Sequence, residues 1–382
     1  MRIGFDGSRI AKQFLTGTEH YSIEILKALA KIDYKNQYLI YSPKIIDDKL
    51  GKLPKNFEYK IMPFPKLWTQ IRLSWEMMTN NKPDVLFIPS HTIPFVHPKK
   101  TIVTVHDLGF KYYPELYGKT ELAYQNFGLN MATKKAAHII TISENTKNDI
   151  INFCKVDPKK ITVIYHGFNS DLYKPFSQIE IEKKTEMQEK SVFSSEIIKS
   201  SPYIFFVGRI EEKKNILGML KTYAFLRKEP KIKHKLVLAG KPGFGYDKIL
   251  EYKNSLPPEI KRDIIELGYV TDKDLSSWMR NADVFFFPSF FEGFGLPVIE
   301  AMACGVPVVA SNTTSIPEIA GSAAVLVNPK KYYDMAVALS RVINDKKFRY
   351  SLISKGKVRA SLFSWEKAAE KTLKVFENVY KK

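Results

Sequence analysis

The stretch FFEGFGLPVIEAMACGVPVVASNTTSIP, residues 290–317, decides the fold of this 382-residue chain. It opens on Glu292, sets Gly293 and Gly295 around Phe294, passes through Leu296-Pro297 and reaches Glu300. Proline suits the first turn of a helix, where its lack of an N–H breaks no hydrogen bond. Residues 292–295 therefore read as a loop and residues 296–303 as the helix it feeds, with Val298, Ile299 and Met302 on its apolar face. Gly305 ends that helix, and residues 306–310 read as a short buried parallel strand. A glycine loop that opens a helix offers backbone N–H groups and the positive end of the helix dipole, a combination that favours phosphate. The amides of Phe294, Gly295 and Leu296 are the candidates. Carboxylates are poor phosphate ligands but good acceptors for sugar hydroxyls. A glutamate on each side of a phosphate cradle thus points to a sugar–phosphate compound. An ordinary strand–loop–helix with two solvated glutamates is the bland alternative for so short a motif.

The whole stretch is more specific than its parts. Glu292 to Glu300, with FGLP between them and EAMACGVPVVAS after, resembles the signature of retaining glycosyltransferases of the GT-B fold, and within them the family 4 enzymes. The resemblance implies an α/β protein of two Rossmann-like, doubly wound domains facing across a cleft. It implies that Glu292 hydrogen-bonds the sugar and Glu300 the ribose of a nucleoside-diphosphate sugar.

Length and composition agree. A chain of 382 residues with 45% hydrophobic residues suits two globular domains. No apolar run approaches the ~20 residues needed to span a bilayer. The N-terminal MRIGFDG reads as strand and turn, without a signal-peptide apolar region. A cytoplasmic protein is expected, peripheral at the inner membrane face if the charge serves docking. Cys154 and Cys304 stand far apart, against a disulfide or cysteine-based zinc framework. The net charge of +19 favours acidic partners. Scattered lysine on solvated faces is the competing reading. Zinc-finger spacing and RNA-binding aromatic motifs are lacking, so nucleic acid is not expected as a partner.

The first domain is expected over residues 1–175. Strands are expected at 2–5, 38–41, 57–62, 84–88, 101–105, 138–142 and 161–165, alternating with helices as in a doubly wound sheet. The loop Leu15-Thr16-Gly17-Thr18-Glu19 leads into a helix carrying Ile23, Leu26, Leu29 and Ala30. Gly17 corresponds to the family's N-terminal glycine facing the donor phosphates, although Glu19 stands where family members often have a second glycine. His106, in Thr104-Val105-His106-Asp107, falls at a strand end, where ligands of parallel sheets bind. It resembles the family's histidine against the donor sugar; His91 is a weaker candidate. Residues 66–75, Lys66 to Trp75 with Trp68 between, mix aromatics with cations. They read either as a membrane-surface segment or as a core-facing helix.

Residues 176–201 are polar and form the expected linker. A second alternating series, residues 202–363, forms the nucleotide-sugar domain. Gly208-Arg209 followed by Lys214-Asn215 resembles the family's diphosphate-binding pair, and both side chains are expected to be exposed. Arginine chelates phosphate through a planar fork, and lysine adds a point charge. Gly268-Tyr269-Val270 resembles the loop that holds the nucleobase. Residues 364–382, with Trp365, Ala368, Leu373, Phe376 and Val379 on one face, are expected to cross back onto the first domain.

The reaction these readings imply is retaining transfer of a mannose- or glucose-type hexose from a GDP- or UDP-linked donor to a hydroxyl of a glycan or lipid-linked acceptor, in cell-envelope glycan or glycolipid synthesis. His106, Arg209, Lys214 and Glu292 form the catalytic set. No Asp-x-Asp motif sits at an expected strand end, so no metal and no further cofactor are expected. Two alternatives stand beside it: a sugar-nucleotide epimerase of the same fold, and a basic protein binding nucleic acid or anionic membrane. An NAD-dependent dehydrogenase is disfavoured, because no Gly-x-Gly-x-x-Gly follows the first strand.

Overall fold

The computed structural model describes residues 1–12, 17–78, 82–176 and 201–382. They divide into two compact units, Met1–Gly167 with Phe363–Lys382, and Phe168–Leu362. The first boundary thus falls at Gly167 and not at 175, because Tyr173 is buried in the second unit beside Glu300. The expected linker lies almost wholly outside the described residues, as do Leu15 and Thr16.

In the first unit, β1 (Arg2–Asp6), β2 (Gln37–Ser42), β3 (Phe57–Ile61), β4 (Val85–Ile88), β5 (Thr101–Val105), β6 (His138–Thr141) and β7 (Ile161–Val163) form one sheet in the order β3-β2-β1-β4-β5-β6-β7. Each described pairing is parallel. Every residue of β4 and β5 is buried, the pattern of strands covered on both faces. The Trp365–Lys381 helix closes this unit. Ser364 caps it, its Oγ accepting from Lys367 N at 3.1 Å. Its Trp365, Ala368, Phe376 and Val379 share one core with Tyr21, Ile25 and Leu29 of the Gly17–Ile32 helix, and Leu373 packs against it. The Phe376 ring lies 5.1 Å from that of Phe87. Gly167 is required where the chain passes Trp365, since an added Cβ would sit 2.1 Å from the Trp365 amide nitrogen.

The second unit repeats the plan. β8 (Tyr203–Val207), β9 (Lys235–Ala239), β10 (Ile264–Gly268), β11 (Val284–Phe287), β12 (Val308–Ser311) and β13 (Ala324–Val327) run in the order β10-β9-β8-β11-β12-β13. Both sheets reverse direction of growth beside their first strand, at β1/β4 and at β8/β11. Open parallel sheets place ligands outside the carboxyl ends of the strands at such switch points. Each unit therefore has one place to search.

Among the described residues no helix is long and apolar enough to cross a membrane. Within residues 66–75 the structure separates the two tryptophans. Trp68 is a core residue, only 8% exposed, its Nε1 donating to Met62 O at 2.7 Å. Trp75 is the exposed one, at 70%.

Candidate active site

In the second unit the switch point is built by the turn after β8 and the loop after β11. Gly208 leaves β8 with φ of 151°, and its N–H donates to Ala239 O at 2.9 Å. Gly240, φ 152°, leaves β9 so close by that an added Cβ would lie 1.8 Å from Gly208 O. Only glycine permits these strand ends to converge. Arg209 follows with its side chain 67% exposed, Nε 3.5 Å from Glu211 Oε2. Lys214 sits one short turn later. Its Nζ lies 2.6 Å from Glu292 Oε1 and 5.5 Å from the centre of the Phe287 ring. The side chain is 17% exposed, which overturns the expectation of an exposed lysine.

The two loops are tied together through the backbone. Phe290 N donates to Lys213 O at 3.0 Å. Asn215 is held at φ 59° and buried, with Nδ2 donating to Pro288 O at 3.1 Å and Pro329 O at 2.7 Å. On the other side Thr313, Thr314 and Ser315 fasten the glutamate loop. Glu292 N donates to Thr314 Oγ1 at 3.1 Å, and Ser315 Oγ is within hydrogen-bond distance of Glu292 O (2.9 Å) and Phe294 O (3.0 Å). Thr313 Oγ1 reaches Phe290 O at 3.2 Å. Reading by motif missed Asn215 as an anchor and missed this hydroxyl run. Their only signal was three consecutive hydroxyl side chains following β12.

Gly293 is partly exposed, whereas the Phe294 side chain is buried. Gly295, φ 98°, immediately precedes the Leu296–Ala303 helix, which has Pro297 in its first turn, as the sequence predicts. The leading amides of a helix have no intrahelical acceptor and carry its positive dipole end. They follow Glu292 along the same loop, and Glu292 in turn pairs with Lys214 from the turn after β8. Glu300, four residues into the helix, is buried and not solvated. Burial, with Asp272 adding repulsion, pushes its carboxyl up to about 8. The neighbouring Cys304 thiol is raised to about 12 by burial and by Glu300. Gly268 ends β10 with φ 68° and accepts from Gly240 N at 2.7 Å. Tyr269 beyond it is well exposed, with Lys241 Nζ 5.1 Å from its ring centre, and Val270 is half-buried. The strand ends of β8, β9, β10 and β11 thus bring Arg209, Lys214, Gly268 and Glu292 to one edge.

The first unit gathers a second polar cluster at its own switch point. Asp6 ends β1, buried, with Oδ1 accepting from Ser8 N at 2.9 Å and Oδ2 from Thr69 Oγ1 at 2.9 Å. Desolvation raises its carboxyl. Arg9 Nη2 reaches Thr92 Oγ1 at 3.4 Å. Glu19, in the position of the second glycine, is buried and paired with Arg9 (3.5 Å) and Lys12 (3.0 Å). Gly17 begins its helix with no described atom within 4 Å of an added Cβ, so packing against the described residues does not demand glycine there.

His106 ends β5. Its Nε2 lies 3.0 Å from Pro89 O, a carbonyl that can only accept, so Nε2 carries the proton. Burial lowers its basicity, leaving a neutral ring with the lone pair on Nδ1. Tyr21 packs edge-on at 4.9 Å. His91 is held by Gln125 Oε1 at 2.7 Å, and burial lowers it to about 4.

Comparison with known proteins follows the same division. Residues 15–172 match the family described as Glycosyltransferase Family 4, and residues 187–359 match Glycosyl transferases group 1. The O-antigen chain mannosyltransferase B of Escherichia coli is 27% identical over 95% of this chain and 96% of its own length. The O-antigen chain mannosyltransferase RfbU of Salmonella typhimurium is 26% identical over 84% of this chain and 85% of its own. Among solved structures, Anabaena Alr3699/HepE in complex with UDP and glucose superposes with a TM-score of 0.73 at 19% identity, over 99% of this chain and 100% of that one.

Proposed function

We propose a reaction from this premise: the chain belongs to the family 4 glycosyltransferases and has the GT-B fold. The reaction is transfer of a hexose, of mannose or glucose type, from a GDP- or UDP-linked donor to a hydroxyl acceptor, with the anomeric configuration retained. The observation that carries it is the Lys214–Glu292 pair beside the Leu296–Ala303 helix, because it joins an anion-binding group to a sugar-binding group.

The chemistry follows from charge. As the bond from the anomeric carbon to the β-phosphate oxygen breaks, negative charge grows on the departing diphosphate. Arg209, Lys214 and the leading amides of the helix meet that charge, and preorganised electrostatics of this kind is often the largest catalytic contribution. In this reading they take the place of a metal ion. Glu292, oriented by Lys214, accepts from a sugar hydroxyl. Glu300 meets the ribose, and Gly268, Tyr269 and Val270 border the base. On the first unit, the Nδ1 lone pair of His106 is the group offered to a sugar hydroxyl. Retention needs no protein nucleophile if the leaving phosphate oxygen takes the acceptor's proton while that acceptor oxygen bonds to the anomeric carbon on the same face.

The acceptor we infer is a glycan or lipid-linked intermediate of the cell envelope. The likeness to two O-antigen chain mannosyltransferases supports this choice. The test is transfer from GDP-mannose and UDP-glucose with a chelator present, the product anomer read by NMR. Retained configuration in chelator is the expected result. An inverted product, turnover that requires a divalent cation, or an epimerised donor without acceptor would each overturn the corresponding part.

A further inference from the structure

Four rings from four distant segments meet inside the first unit. Tyr21 comes from the Gly17–Ile32 helix, His106 from the end of β5, His166 from the segment after β7, and Trp365 from the start of the last helix. The Tyr21 ring stands edge-on to His106, with centres 4.9 Å apart and planes at 81°. It stacks on His166 at 4.9 Å and 23°, and His166 stacks in turn on Trp365 at 5.3 Å and 29°. Tyr21, His166 and Trp365 are buried. Edge-on and offset-stacked contacts are the ones that aromatic quadrupoles favour. The stack lies where the chain leaves this unit and returns to it. Gly167, next to His166, is the last residue before the second unit, and Phe363 is the first on return. The two segments fit closely. A Cβ on Gly167 would overlap the Trp365 backbone, and the Tyr165 and Phe363 rings lie 5.7 Å apart.

Tyr21 passes this constraint to His106. Its hydroxyl lies 3.2 Å from Thr104 Oγ1, on the strand that leads to His106, while its ring borders the imidazole. The other restraints on His106 leave its ring plane open. Nε2 at 3.0 Å from Pro89 O fixes one nitrogen, and a single hydrogen bond lets the ring swing about it. Thr146 Oγ1 donates to His106 O at 3.1 Å, which holds the backbone and not the ring. The Tyr21 edge supplies the restraint that is left.

We propose that His166 and Trp365 are positioning residues for His106 and act through Tyr21: the stack clamps the Tyr21 ring, and the Tyr21 edge sets the imidazole plane so that Nδ1 keeps one aim. The imidazole at 166 serves as a flat ring and not as a proton carrier. Burial and the charge of His106 both push it well below its ordinary range, so it stays neutral and stacks. The same packing keeps water from His106. Burial and Arg9 oppose a proton on that ring, while Pro89 O, Asp107 and Glu19 favour one. The consequence for turnover rests on the glycosyl-transfer reading. The state of the His106 ring does not, and it is measured without substrate.

The test labels the histidines of the full chain with nitrogen-15 and follows the His106 imidazole by NMR between about pH 5 and 9. Loss of its signals in His106→Gln assigns them. The parent should show one neutral Nε2–H tautomer. His166→Ala should mix the two tautomers and move the His106 titration up toward the ordinary histidine range, because water reaches the ring. His166→Phe restores a flat ring that cannot titrate, and it should keep the parental signals. In transfer assays His166→Ala should lower kcat by roughly tenfold or more, the cost of a misaimed group, and His166→Phe should restore it. Binding of the nucleoside diphosphate, measured by calorimetry, should not change. Tyr21→Leu should behave like His166→Ala, and the two together should cost no more than Tyr21→Leu alone, since residues acting along one path are not additive. Trp365→Leu supplies the same readouts where His166→Ala does not fold. A stack that serves only the core would lower the melting temperature and move none of these. Parental His106 signals or parental kcat in the folded variants, additive losses in the double variant, or no rescue by His166→Phe overturns the proposal. Altered His106 signals in a protein that transfers from neither GDP-mannose nor UDP-glucose would sink the reaction and leave the positioning role standing.

Discussion

Lys214 Nζ is 2.6 Å from Glu292 Oε1, in a pair whose side chains are 17% and 12% exposed. One residue comes from the turn after β8 and the other from the loop after β11, so the pair spans the switch point of the second sheet. Each partner fixes the other's position. In the reaction proposed above, that arrangement holds the lysine toward a diphosphate and the glutamate toward a sugar hydroxyl.

Lys214→Ala should therefore have two effects. Turnover should fall by roughly 10²-fold or more, the scale of losing one donor to developing charge. Stability should fall too, by about 1–3 kcal/mol, because Glu292 is left without its partner in a mostly desolvated place. Combining Lys214→Met with Glu292→Gln should recover the melting temperature but not the turnover. A single variant that melts like the parent would show that the pair has no structural part.

Arg209 provides the contrast. Its side chain projects into solvent beside Glu211, so Arg209→Ala should lower turnover by roughly 10²-fold with the melting temperature unchanged. Steady-state kinetics and a thermal melt on the same preparation decide it. Near-parental turnover would remove Arg209 from the diphosphate site.

The two glutamates should separate in calorimetry with the nucleoside diphosphate alone. Glu300→Ala is expected to weaken that binding by roughly tenfold, the worth of about one hydrogen bond. Glu292→Ala is expected to leave it nearly intact and to cripple transfer. Equal losses in both variants would contradict the division of roles.

Glu300 also predicts a pH dependence of stability. Its folded value of about 8 stands above the ordinary carboxylate range. Below that ordinary range both states hold the proton, and the group has no effect on the slope. Between there and about 8 the folded state alone keeps it, so stability falls as pH rises, by up to about 1.4 kcal/mol per pH unit from this group. Glu300→Gln should flatten the profile across that window. Denaturant melts of both proteins at pH 5, 6.5 and 8 measure it; parallel slopes would refute a buried proton on Glu300.

Much of this protein was written locally. The apolar runs of β4, β5 and β11, the Gly295–Pro297 helix start, the Ser364 cap and the terminal helix's apolar face are each decided by neighbours within a few residues. Steric preference, capping and periodicity act at that range, so the sequence by itself determined two doubly wound units, and the resemblance of its motifs to a family's marked Arg209, Lys214, Glu292 and Glu300. Tertiary structure alone decided what those residues touch. Lys214 and Glu292 are 78 positions apart, and their pairing depends on which strands end side by side. Whether Glu300 is solvated, and whether Trp68 or Trp75 faces water, depends on what distant segments cover. The Thr313–Ser315 clamp and the boundary at Gly167 belong to the same class. Burial and partnership are properties of the assembled chain, because desolvation acts through space and not along the sequence.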